Sequence, residues 1–345
     1  MFNSAELDSY LQNYRRDTHF SGTIRITHKD KIVYQNFAGM ADFENGTALS
    51  KESAFTLYSL SKPFCVIGFM KLADAGFVDI DRHPGEYLDE MKGFDERVTL
   101  RMMLHHTSGL PDFEQTKEFS GKYVHGPYGK VREHLRYLAD YPMLFEPGTM
   151  GFYANVNILP LALIIENLSG ISYSEYMKME VFAPLGMKSA AVDAEDLYVP
   201  NRVKGYELKD GGLCRVERSL DWMLGAGDII GTADDVYCLN RAIKERLLLN
   251  RGTWDEVLTP SPLNSMGMGC TVTDWHGKHR ITHNGGHTGF RTLHVQLPED
   301  DFDIIILSNT GFGDARYDIS EEIFRLYYGN DGKPSSAQEM DKGYI

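Results

Sequence analysis

The sequence predicts an α+β fold, an antiparallel sheet flanked by the terminal helices with a mostly helical lobe inserted into it. Three observations lead there. Alternating, β-branched segments stand near both ends of the 345-residue chain, helical periodicity fills its middle, and Gly/Pro-rich loops punctuate that middle without any internal repeat. The expected division assigns residues 1–58 and 267–330 to the sheet lobe and its two helices. Residues 59–266 form the helical lobe, and 331–345 a loose tail.

In chain order, residues 4–16 have the spacing of a short amphipathic helix. The stretch GTIRITHKDKIVYQNFAG, 22–39, reads as a hairpin turning at His28-Lys29-Asp30. Helical periodicity marks 59–76, 131–141, 156–168, 174–183 and 233–248. Strand patterns return at 268–273, 280–282, 292–297 and 302–308, with Pro298-Glu299-Asp300-Asp301 as the turn before the last. A final helix covers 318–328, its apolar stripe formed by Ile319, Ile323, Phe324 and Tyr327. A cleft between two such lobes is the expected place for a site.

Composition excludes several classes. Hydrophobic residues at 42% and charged residues at 24% are those of a globular chain, not a low-complexity or collagen-like one. Thirty-five basic against 49 acidic residues leave a charge of −14, which gives no affinity for phosphate backbones, so no nucleic-acid partner is expected. No apolar run is long enough to cross a bilayer, and the first residues lack the pattern of a secretory leader, so a cytoplasmic location is expected. Cys65, Cys214, Cys238 and Cys270 lie far apart with no C-x-x-C, as reduced thiols would. Nucleotide-binding glycine motifs and H-E-x-x-H are absent. His279, His283 and His287 recur every fourth residue, but Gly285-Gly286 and Ile281-Thr282 suit a strand, where four residues span about 13 Å, too far to share one ion. Neither metal nor other cofactor is expected.

Ser59-Leu60-Ser61-Lys62 is the one S-x-x-K in the chain, and it opens a long apolar segment. At helical spacing Ser59 and Lys62 are neighbours. A serine alcohol becomes a nucleophile when a neighbouring group accepts its proton, and a neutral amine can do so. Pro63 lacks an amide hydrogen and belongs near a helix start, where backbone N–H groups point outward. Read alone, the four residues fit a capping serine followed by a surface lysine better than a nucleophile and its base.

The surroundings distinguish these readings. FTLYSLSKPFCVIGFMKLADAGFVDID and VTLRMMLHHTSGLPDF are followed by FEPGTMGFYANVNILPLALIIENLSG, VFAPLGM, THNGGHTGF and IIILSNTG. Together, from about Ser21 to Asn309, they resemble the serine β-lactamase-like family: class C β-lactamases, penicillin-binding DD-peptidases, D-aminopeptidases and related esterases. The resemblance implies the two-lobed fold and an acyl-enzyme formed on Ser59. Of three Y-x-N triplets, only Tyr153-Ala154-Asn155 falls between Ser59 and the final strands. The resemblance implies Tyr153 as a proton relay beside Ser59 and Lys62, and Asn155 as a substrate holder.

The family's K-T-G is missing. Two H-x-G runs compete for its place, His283-Asn284-Gly285 and His287-Thr288-Gly289. A Gly-Phe pair follows the motif in the family, and Gly289-Phe290 therefore implies the first, so by the resemblance the N–H groups of Gly286 and Ser59 would form an oxyanion hole. The adjacent glycines leave room for a substrate at the strand backbone. Because histidine is mostly neutral at pH 7, a substrate carboxylate would be held less strongly, and Arg291 is a candidate to take over, though a strand arginine facing solvent fits the pattern too. His106 and Ser108 read as structural hydrogen bonders, and Gly225-Ala226-Gly227-Asp228 as a packing loop before the Thr232-Ala233-Asp234 helix cap. The expectation is a serine hydrolase taking a small-molecule or peptide substrate: esters, D-amino-acid peptides or amides, or slowly β-lactams. A non-catalytic ligand sensor on the same fold is the alternative. Oligomeric state is not legible.

Overall fold

The computed structural model describes residues 2–112, 130–194, 197–216 and 223–329. The expected tail from 331 lies outside the described residues. A six-stranded sheet is built from both ends of the chain: β1 (Gly22–His28), β2 (Lys31–Ala38), β3 (Thr271–Trp275), β4 (Lys278–His287), β5 (Phe290–Leu297) and β6 (Phe302–Ser308), in the spatial order β3-β4-β5-β6-β1-β2. The pairings are antiparallel, with β6 joined to β1 from Gly22↔Ser308 to His28↔Phe302. The hairpin expected at 28–30 is present. Lys29 and Asp30 both take left-handed φ, +51° and +58°, which matches the right-handed twist of the flanking strands.

Two helices cover the outer face, α1 (Ser4–Thr18) and the C-terminal helix, here α6 (Ala315–Tyr328). Leu7, Leu11, Ile319, Ile323 and Phe324 pack there against Ile24, Ile26, Leu293, Val295, Ile304 and Ile306. Tyr327, expected in the same stripe, is only partly buried. Ile305 and Leu307 point the other way, into the larger core of the helical lobe. The Ile-Ile-Ile-Leu run of β6 is apolar throughout because both faces of that strand are covered.

The lobe over the inner face is led by α2 (Lys62–Asp74) and α3 (Leu159–Ser169), both buried on nearly all sides. It also holds α4 (Ala233–Glu245) and α5 (Arg251–Leu258). Thr232 caps α4 in a reciprocal box with Asp235, as the sequence indicated for this terminus. Small pieces escaped the sequence reading: a three-stranded sheet of Phe55–Thr56, Ile229–Gly231 and Ala191–Val192, and a hairpin of Gly205–Lys209 with Gly212–Val216. Strands of two or three residues carry no readable periodicity. The strand expected at 268–273 starts three residues late, at Thr271, because Gly269 at φ +78° turns the chain out of the ladder. Among the described residues, no single helix is long and apolar enough to cross a membrane.

Candidate active site

Ser59 lies in a 3-10 turn, Tyr58–Ser61, that runs directly into α2. The turn puts Ser59 and Lys62 side by side. Lys62 is 0% exposed, and its Nζ stands 2.9 Å from Ser59 Oγ while donating to the carbonyl of Ala226 at 2.8 Å. A 2.9 Å contact serves either proton arrangement, a charged amine donating or a neutral one accepting the hydroxyl proton. Ser59 itself is partly exposed. The neighbouring alcohol, Ser61, is buried and accepts the N–H of Ile229 at 3.0 Å, which commits it to structure.

Tyr153 approaches from the loop before α3. Its ring lies beside the lysine, with Nζ 4.9 Å from the ring centroid. The ring also stacks on His106 at 4.7 Å and 23°. His106 is buried and pushed down to about 3, chiefly by burial and then by the charge of Lys62, so it is a neutral ring. Its Nδ1 accepts the N–H of Ala154 at 3.2 Å, and Ser108 Oγ bonds Asn157 at 2.5 Å, the structural roles expected of both residues. Asp112 anchors the same loop, accepting the N–H groups of Asn155 at 2.7 Å and Val156 at 3.3 Å. Asn155 is buried, and its side-chain oxygen has no hydrogen-bond partner among the described residues.

The inner edge is supplied by β4. A Cβ on Gly285 would fall 2.1 Å from the Leu57 carbonyl and 3.1 Å from the Leu60 nitrogen. Only glycine lets the strand lie this close to the turn that carries Ser59. Thr292 on β5 donates to the same Leu57 carbonyl at 2.8 Å. Gly286, the next residue, is exposed. His283 is buried, with Nδ1 2.7 Å from the Asn284 carbonyl. Burial, reinforced by Lys62, holds it well below the ordinary imidazole range, so it is neutral. Opposite it in the ladder stands His294, also fully buried and lowered to about 4 by burial.

Arg291 pairs with Gly286 in the ladder and is half-buried, its Nη1 donating to the carbonyls of His287 at 2.6 Å and Phe290 at 2.9 Å. Burial and then the neighbouring Arg316 push its guanidinium below the ordinary value. Arg316, from α6, is buried and donates to the Gly285 carbonyl at 3.0 Å.

The structure therefore brings Ser59, Lys62, Tyr153, His283 and Gly285 to one place, with Gly286 and Arg291 at its rim and Asn155 two residues after Tyr153 in the chain. Four contributors were not singled out as site residues. The Ala226 carbonyl lies in a loop read as packing, and Asp228 in that loop is buried and raised to about 7 by desolvation. Asp112 lies in a motif already quoted, where a carboxylate three residues beyond Gly109 was a usable signal. Arg316 had none. Among the described residues, no group of three or more His, Cys, Asp or Glu is placed to hold a metal ion.

Comparison with known proteins gives a consistent picture. The family described as Beta-lactamase matches residues 7–324. A penicillin-binding protein of Bacillus subtilis (strain 168) is 27% identical over 316 residues, covering 84% of this chain and 68% of that one. A D-aminopeptidase of Gluconobacter oxydans (strain 621H) is 23% identical over 297 residues, and the match spans 84% of this chain but only 55% of the relative. Among solved structures, a penicillin binding protein from Bacillus halodurans superposes with a TM-score of 0.81 at 24% identity, covering 92% of this chain and 100% of the other.

Proposed function

This chain belongs to the beta-lactamase family, a family of serine hydrolases, and on that premise we propose that it forms an acyl-enzyme on Ser59. Lys62 takes the hydroxyl proton as Ser59 attacks a carbonyl, and Tyr153 relays it toward the departing group. The N–H groups of Ser59 and Gly286 receive the developing oxyanion; such donors are worth about 3 kcal/mol each. Asn155, with an unsatisfied buried oxygen, accepts from a substrate N–H. The observation that carries this reading is the buried Lys62 amine 2.9 Å from a partly exposed serine hydroxyl.

The substrates proposed are esters and D-amino-acid peptides or amides, with β-lactams acylating the serine but turning over slowly. A neutral His283 stands where relatives of the resembled family carry a lysine, so a β-lactam carboxylate loses a cation there. Arg291, half-buried at the strand rim, is a cation available to meet a substrate carboxylate.

Labelling with a fluorophosphonate and a fluorescent penicillin tests the proposal. The native enzyme is expected to be labelled and Ser59→Ala not, with ester hydrolysis lowered at least about 1000-fold. Equal labelling of both, or of neither, would favour a ligand sensor. Nitrocefin turnover at the level of dedicated β-lactamases would refute the substrate assignment while leaving the nucleophile intact.

A further inference from the structure

We propose that Tyr58 is a positioning residue, a clamp that sets the distance between the Ser59 turn and the β4 backbone. This rests on the acyl-enzyme reading, because it concerns the two N–H groups assigned to the oxyanion. Those groups come from separate stretches of chain, Ser59 from a 3-10 turn and Gly286 from a strand. A device that holds the two stretches together bears directly on catalysis, since small misplacements of such donors are expensive.

Three observations identify Tyr58 as that device. Its backbone sits at φ +50°, a left-handed conformation that aromatic residues rarely adopt and that persists only where surrounding contacts impose it. Its hydroxyl donates to the carbonyl of Thr288 at 2.8 Å, two residues beyond Gly286. Its ring, 2% exposed, lies 5.7 Å from His287 and 6.2 Å from Phe290, so one side chain touches three residues of the β4–β5 turn.

The preceding residue completes the grip. The Leu57 carbonyl accepts from Thr292 on β5 and stands where a Cβ on Gly285 would be. Leu57 thus fixes the hairpin on one side of Gly286 and Tyr58 fixes it on the other. A second tether comes from the Gly205–Lys209 strand, where Glu207 accepts the N–H of Gly289 at 2.7 Å. That tether does not touch the nucleophile turn, so Tyr58 is the one of the two that relates the turn to Ser59.

Tyr58→Phe keeps the ring and the backbone and removes the hydroxyl. Amide hydrogen exchange over 286–290 is expected to quicken about tenfold while 302–308 is unchanged. In the same variant, fluorophosphonate acylation of Ser59 and kcat for a p-nitrophenyl ester are expected to fall about tenfold, with KM shifted less than twofold. Tyr58→Gly suits the left-handed backbone yet lacks the clamp, and is expected to be slower still. Unchanged exchange in the Phe variant, faster exchange with undiminished acylation, or full activity of the Gly variant would each overturn the proposal. A native enzyme that takes no label at Ser59 would sink the acyl-enzyme reading instead, while the exchange comparison would still decide the clamp.

Discussion

The two faces of the six-stranded sheet share strands and burial but not chemistry. On the outer face, β1, β5 and β6 present Ile24, Ile26, Leu293, Val295, Leu297, Ile304 and Ile306 to the terminal helices. On the inner face the alternate positions are Thr23, Arg25, Thr27, Thr292, His294, Gln296 and Asp303, every one of them buried. Phe290, Ile305 and Leu307 are the apolar exceptions on these three strands. Polar groups under a helical lobe lose water, and several are left short of partners: Thr23 Oγ1, Gln296 Oε1, Asn240 Oδ1 and both nitrogens of His294 have none among the described residues. Burial pushes Asp303 up to about 7. The outer face is organised for stability, whereas the inner one holds desolvated polar groups that run up to the Ser59 turn.

If this contrast is real, substitutions on the two faces should separate stability from chemistry. The largest effect belongs to the outer face. Ile304→Ala, at a fully buried position, is expected to lower unfolding free energy by about 2–5 kcal/mol in a denaturant melt, with kcat/KM per folded molecule within twofold of native. A parallel fall in activity would erase the distinction between the faces.

On the inner face, Gly285→Ala should do the reverse. The new methyl would lie 2.1 Å from the Leu57 carbonyl, so β4 must retreat from the nucleophile turn, and acylation is expected to slow about 100-fold. Native-like kinetics in that variant would mean that the strand's closeness does not matter to the reaction.

The smallest effect sharpens the picture electrostatically. His294 is lowered to about 4 from an ordinary value near 6.5, so the unfolded chain binds the proton more readily. Its contribution to stability is complete above about pH 6.5 and is lost as pH falls toward 4. His294→Leu removes this loss, and the variant should gain on the native protein steadily over that interval. His106 and His283 act in the same direction, and Asp228 and Asp303, both raised to about 7, act oppositely. All four remain in both proteins, so only the difference between the two titration curves is read. A constant difference between the melts at pH 6.5 and 4.5 would contradict the assignment.

Much of the sheet was readable because its strands are long enough to show period two and its turns carry Pro298 or Lys29-Asp30. The inner face was not. GTIRITH alternates polar and apolar residues as a half-solvated strand does, and nothing local says that the Thr and Arg side will be covered. The site divides similarly. Ser59 and Lys62 stood out through residue type and spacing, whereas Tyr153, Asn155, His283, Gly285 and Gly286 were picked out through the family resemblance, and Arg291 as the residue after Phe290. Arg316 and His294 did not, because a helix arginine and a strand histidine acquire meaning only from what they face.

What the chain determined alone was local: which segments are strands or helices, where an alcohol and an amine fall three residues apart, and where glycine allows a close approach. These follow from backbone sterics and short-range spacing. Tertiary structure decided which polar residues lose their water, that the Ala226 carbonyl would meet the lysine, and that Tyr58 would reach across to Thr288. Those outcomes depend on contacts between segments more than 150 residues apart, and desolvation is a property of the assembled interior that no single segment carries.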